Sequence, residues 1–174
     1  MAMTVGMADL MEYTDWERQK WKAWLMTQGD SVLGLSAGPH GDGRFDKVGD
    51  LIKHIFSAEK RYVDRLSDRP LTDPAAIPVD RIEALFGFGQ RSRKDLRNFI
   101  DALPESDWDV AHEYNILKLT IQATPRKIIV HVLTHEIRHW AQIATVLRFN
   151  GLITGEMHDF LVSPALGGSH RLSP

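Results

Sequence analysis

The chain contains no cysteine. That excludes disulfides, thiolate metal ligands and a cysteine nucleophile. Any transition-metal site must therefore be built from His, Asp, Glu and water. No stretch is long and apolar enough for a membrane span. The opening residues, MAMTVGMADLMEY, lack the basic region and apolar run of a secretory signal. The expectation is a cytoplasmic protein with no membrane partner. Charge of one sign is also missing: the net charge of -2 gives no nucleic-acid footprint. Repeats and low-complexity tracts are absent. What is present, 174 residues with 43% hydrophobic content, suits one domain over residues 1–174 with a full core.

Four segments carry helical periodicity. The first runs from about Thr4 to Gln28, with Leu10, Tyr13, Trp21, Trp24 and Leu25 on one face. Glycines and a proline in GDSVLGLSAGPHGDGRF then predict a loop. The second helix spans about Asp46 to Ser67, with a stripe of Val48, Leu51, Ile52, Ile55, Tyr62, Val63 and Leu66. After the proline-rich SDRPLTDPAAIP, a third runs from about Val79 to Ala102, weakened and kinked at Gly87 and Gly89. Beta-branched, partly alternating residues predict a short strand or hairpin near Val110 to Gln122. The fourth helix opens with Thr124 as N-cap and Pro125 at the first position, and stops at Asn150-Gly151. A short helix is expected near Gly155 to Val162, and a loose tail from about residue 163. The fold class is all-α: a four-helix bundle with a short hairpin-like insert before the fourth helix.

The fourth helix holds HVLTHEIRHWAQI, residues 131–143. With about 100° per residue, His135 and His139 share the arc of Ile128, Val132, Ile143 and Val146, while His131 and Gln142 lie at its edge. Two imidazoles four residues apart on a helix are neighbours and can share one ion. His131 has two readings, a further ligand or a residue outside the ligand set. A third ligand is needed, and His54, at the seam of the second helix, is the best one. Three neutral imidazoles leave at least one position open for water or substrate.

Glu59 lies in the middle of the apolar stripe of the second helix, where a lone carboxylate is costly. It either orients a metal-bound histidine or forms a buried ion pair, with Arg93 as a partner. Glu17 has a similar position on the first helix. Trp16, Trp21, Trp24 and Trp140 fill the core or an oligomer interface.

The segment HEIRH also fits the H-E-x-x-H pattern of zinc proteases, with Glu136 as general base. The metzincin extension fails, because Gln142 and Thr145 stand where a glycine and a histidine are required. Glu156 is the one nearby downstream glutamate for the alternative ligand set. A protease of this type also needs a sheet edge to hold peptide, and the pattern supplies one short strand region.

HIFSAEKRYVDRL on the second helix, followed much later by HVLTHEIRHWAQIATVLRFNG on the fourth, resembles the DinB-like family of metal-binding four-helix bundles. The resemblance covers roughly residues 5 to 165. It places the three motif histidines at His54, His135 and His139. Glu59 matches a glutamate that follows the first histidine in many members, and Gln142 a glutamine after the last. Many members carry Arg-Gly where this chain has Trp140-Ala141. The resemblance implies one divalent ion, zinc or nickel, and a homodimer. It also implies a reaction on a small molecule, as a hydrolase or as a transferase using a low-molecular-weight thiol. Glu136 and Glu59 are the candidates for proton transfer. The metal is expected to face a small pocket closed by the second, third and fourth helices. A non-catalytic metal-binding stress-response protein is the alternative, and the zinc protease a third reading.

Overall fold

The computed structural model describes residues 5–116, 118–155 and 158–167. Among them, four α-helices and one two-stranded sheet follow the expected order: α1 (Met7–Gln28), α2 (Val48–Leu66), α3 (Ile82–Ala102), β1 (His112–Ile116), β2 (Leu119–Ala123) and α4 (Pro125–Phe149). None of these helices is long and apolar enough to cross a membrane. The insert is an antiparallel hairpin, with His112 opposite Ala123 and Ile116 opposite Leu119. Helix α4 begins as its sequence requires. The Thr124 side chain accepts a hydrogen bond from the Lys127 backbone N–H, and Pro125 occupies a first-turn position that needs no donor.

The helix directions follow from which residues meet. Phe56 packs on Gly89 and Lys60 pairs with Asp95, so α2 and α3 run parallel. Arg18 meets Glu136 and Trp21 stacks on Trp140, so α1 and α4 also run parallel. His54 lies beside His139 while Tyr62 lies beside His131, so α2 and α4 are antiparallel. The path is up, down, down, up. Residues 67–81 must therefore run back along the bundle between two parallel helices. Asp64 anchors their start by accepting from Thr72, and Asp30 caps their end by accepting from the Ile82 N–H at 2.8 Å.

Two apolar clusters make the core. One gathers Trp21, Leu25, Leu51, Ile55, Phe56, Leu85, Trp140 and Ile143; the other Met11, Val63, Leu96, Ile129, Val132 and Leu133. Between them, at the same level on all four helices, lie Arg18, Glu59, Arg93 and Glu136, all buried. The bundle thus has a charged layer between two oily halves.

Three expectations change. Helix α3 runs unbroken through Gly87 and Gly89. Gly89 is a packing contact: a Cβ there would lie 2.8 Å from the Phe56 ring. Phe56 is fully buried against Phe86 and Trp140 and has no room to retreat. Gly89→Ala should therefore lower stability by about 1–3 kcal/mol through overpacking, despite the gain in helix propensity. A fall in the urea midpoint checks this. Among the described residues, the helix expected near Gly155 to Val162 is a single 3-10 turn, Phe160–Val162, with Gly155 at φ 66° and residues 156–157 outside the description. Of the tail expected to be loose from residue 163, Ser163 and Ala165 are buried, and residues 168–174 lie outside the described residues.

Candidate metal centre

Regular turns place the histidines. His135 and His139 are one helical turn apart on α4, and the antiparallel α2 brings His54 opposite them. His54 Nε2 lies 3.1 Å from His135 Nε2, which lies 3.1 Å from His139 Nε2. The nitrogens that each ring can offer to one ion all fall within 4.8 Å of one another. Nitrogens bound at about 2.0–2.1 Å are separated by roughly 3.3 Å in a tetrahedron and roughly 2.9 Å in an octahedron. The two 3.1 Å spacings made by His135 lie between them. The rings stand steeply to one another, at 62°, 67° and 86°, so their edges converge and their faces do not stack.

The chemistry of the donors also fits a cation. Burial, then the neighbouring His139 and Arg44, pushes His54 down to about 4. Burial, then His139, His54, His131 and Arg138, pushes His135 down to about 3. Burial lowers His139 as well, opposed by its hydrogen bond to Gln142. All three rings are therefore neutral near pH 7. The His135 Nε2 then has one hydrogen or one lone pair, and two nitrogens face it. A divalent ion would accept all three lone pairs at once. His139 is buried while His54 and His135 keep part of their surface, so the cluster is reached from solvent on their side.

The lowered values carry a linkage of definite sign. A group held below its unfolded pKa stabilises the fold fully above that unfolded value and loses this as pH falls through the folded one. Metal-free protein should thus lose thermal stability progressively from about pH 6.5 toward the folded values near 4 and 3. Melting of chelator-treated protein across this range tests it, and His135→Ala should flatten the acid limb.

The walls of the site come from α2, α4 and residues 38–45. Phe45 lies against the His54 ring at 4.8 Å and edge-on to His139 at 6.1 Å. His139 Nδ1 lies 2.7 Å from Gln142 Oε1, and the Gln142 amide nitrogen donates to the His40 carbonyl oxygen. The loop supplies the wall expected from α3, because the parallel α2–α3 packing uses the other face of α2, at Phe56, Glu59 and Lys60. Five clefts of about 280 to 690 Å³ among the described residues lie away from these histidines. His131 is exposed, its ring 5.5 Å from that of His135.

Glu59 and Glu136 come together in the charged layer. Glu136 Oε1 accepts from Arg18 Nε at 2.6 Å and Trp140 Nε1 at 3.0 Å. Its Oε2 accepts from Arg18 Nη2 at 2.7 Å and Arg93 Nη2 at 2.6 Å. Glu59 accepts from Arg18 through both oxygens and from Arg93 Nε at 2.8 Å. The pairing of Glu59 with Arg93 follows from their helical faces. Arg18 was not singled out, although it stands between Thr14 and Trp21 on the buried face of α1, the signal that marked Glu59. Trp140 stacks on Trp21 at 5.4 Å and donates to Glu136. Glu17 accepts from Trp21 Nε1 at 3.0 Å. Glu156 lies outside the described residues.

A family model described as the DinB family matches residues 1–162 of the chain. No curated protein matches it.

Proposed function

Since this chain belongs to the DinB family, we propose that it is a metal-dependent enzyme acting on a small molecule, as a hydrolase or a thiol-dependent transferase. In this reading His54, His135 and His139 hold one divalent ion, zinc or nickel. The observation that carries it is the convergence of three neutral imidazole nitrogens, two of them on rings that keep solvent exposure. Such an ion lowers the pKa of a bound water or holds a thiol as its thiolate. The absence of cysteine means that the thiol would come from a cosubstrate.

The chain's own part is to present and shield. His54 and His135 face the open side, and His139 fixes the buried side. Phe45 covers the rings and keeps bulk water from one flank. Glu136 and Glu59, proposed from the sequence for proton transfer, have their oxygens bonded to guanidinium groups. They are better suited to holding helices together than to moving protons. A homodimer with the site open in each copy remains part of this reading.

The test is metal analysis of protein purified without a nickel column, followed by assays with ester and amide substrates and with thiols plus electrophiles. The expected result is turnover that chelation removes and one equivalent of metal restores. Metal-loaded protein without turnover across both panels would favour the non-catalytic metal-binding role.

A further inference from the structure

Gln142 bonds to a ligand candidate on one side and to a loop on the other. Its amide orientation is fixed by what surrounds it. The nitrogen faces the His40 carbonyl and, at 3.3 Å, the Asp42 carboxylate, both of which can only accept. Reversed, its oxygen would meet two acceptors. The oxygen therefore faces His139 Nδ1 at 2.7 Å, and that nitrogen must carry the hydrogen. The His139 Nε2, which points at His135, is then left as a lone pair.

The other side of the amide holds residues 38–45. Apart from Gln142, this loop is tied to α4 by the His40 ring, which stacks on Phe149 at 4.2 Å. His40 N–H donates to the carbonyl of Ala37, just before the loop, and the Arg44 and Phe45 N–H groups donate to the Gly41 carbonyl within it. Asp42 takes a left-handed backbone conformation at φ 55°, uncommon for a residue with a side chain and sustained only where surrounding contacts require it. The same loop places Phe45 on two of the three histidines.

We propose that Gln142 is a positioning residue that joins ligand geometry to loop order: its oxygen sets the His139 tautomer, and its nitrogen ties residues 38–45 over the metal centre. This rests on the metal-site reading above. Binding of an ion to His139 and closure of the loop are then one linked equilibrium. Whatever fixes the ring also fixes the amide, and the amide fixes the loop. The loop, through the His40 carbonyl, tunes affinity without contributing a ligand.

The experiment uses zinc ion with the full chain, measuring affinity by competition with a chromophoric chelator and amide hydrogen exchange across residues 38–45. In the wild type, zinc should slow exchange at His40, Arg44 and Phe45. Gln142→Leu should bind zinc roughly 10–100-fold more weakly, the usual effect of removing a partner of a ligating histidine, and zinc should no longer protect the loop. Gln142→Glu separates the two halves. Its carboxylate still accepts from Nδ1–H, so affinity should fall less than in Gln142→Leu, by the loop's share alone. It cannot donate to the His40 carbonyl, so protection of the loop should be lost. Zinc affinity of Gln142→Leu within twofold of wild type would overturn the proposal, as would equal loop protection in Gln142→Glu. His135→Ala is the separate control: if it still binds one equivalent, the metal-site reading fails first.

Discussion

His135→Ala and His139→Ala should each abolish stoichiometric zinc binding while leaving a folded helical bundle. Each removes one of three converging nitrogens. The two that remain cannot fix an ion's geometry, and the loss is expected to be at least about 3 kcal/mol, more than a hundredfold in affinity. The fold should tolerate the change. His135 keeps part of its surface, and Val132 and Ile143, which share its face of α4, stay in the core together with Ile129 and Leu133. His54→Ala should behave in the same way. His131→Ala is the informative contrast, because His131 is exposed and stands one turn before the cluster. It should retain a full equivalent of zinc. Metal analysis after exhaustive dialysis, with circular dichroism of the same samples, gives the result. Full metal content in both the His135 and His139 variants would remove the site.

Much of this arrangement was legible in the sequence where it depends on regular spacing. Thr124, Pro125 and Asn150 bound α4 because cap chemistry is local. His135 and His139 announce themselves by sharing an apolar face at a four-residue step. His54 needed a second inference, across more than 80 residues, and was found because it is the one histidine of its helix and lies at a bundle seam. Arg18 obeys the rule that marked Glu59, a charge within a buried stripe, yet its helix has such a weak apolar contrast that the stripe is hard to see: Thr14, Glu17 and Arg18 are all buried there. Helix direction was not legible. The parallel α2–α3 pair depends on residues 67–81 running back along the bundle, and nothing in a proline-rich connection fixes its course. The loop over the metal centre was also hidden. It acts through a backbone carbonyl and one aromatic ring, and neither has a periodic signature. Gly89 was read as a weakness because its purpose, room for Phe56, lies on another helix.

The glutamate of HEIRH is the sharpest test of what the helix is for. In a zinc protease Glu136 would face metal-bound water, and its replacement would remove activity with little change in stability. Here it lies in the charged layer, 1% exposed, with both oxygens bonded to guanidinium groups and one also to Trp140. Burial alone would raise its carboxyl, but Arg18 and Arg93 outweigh burial and hold it below the ordinary value of 4.5. Glu136→Gln leaves Arg18 and Arg93 short of a counter-charge inside the bundle. Breaking a buried pair in this way costs about 3–5 kcal/mol. For a chain of this size, that corresponds to a melting temperature lower by roughly 6–20 °C. Zinc affinity should be nearly unchanged, because no oxygen of Glu136 bonds to a histidine of the cluster. The pH dependence follows from the same pairing. A carboxylate held below its unfolded pKa stabilises the fold fully above about 4.5, and that stabilisation disappears as pH falls through the lower folded value. Glu136→Gln should lack this component, so its stability deficit should narrow in acid. Arg18→Met should be at least as damaging, since it strips a partner from Glu59 and Glu136 together. Unfolded casein and a peptide library supply the last arm. The metal-loaded wild type should cleave neither, because the hairpin of β1 and β2 runs into the first turn of α4 and packs near Ile128, away from the metal-site histidines. Metal-dependent cleavage that vanishes in Glu136→Gln, with the melting temperature unchanged, would instead make Glu136 a general base and restore the protease.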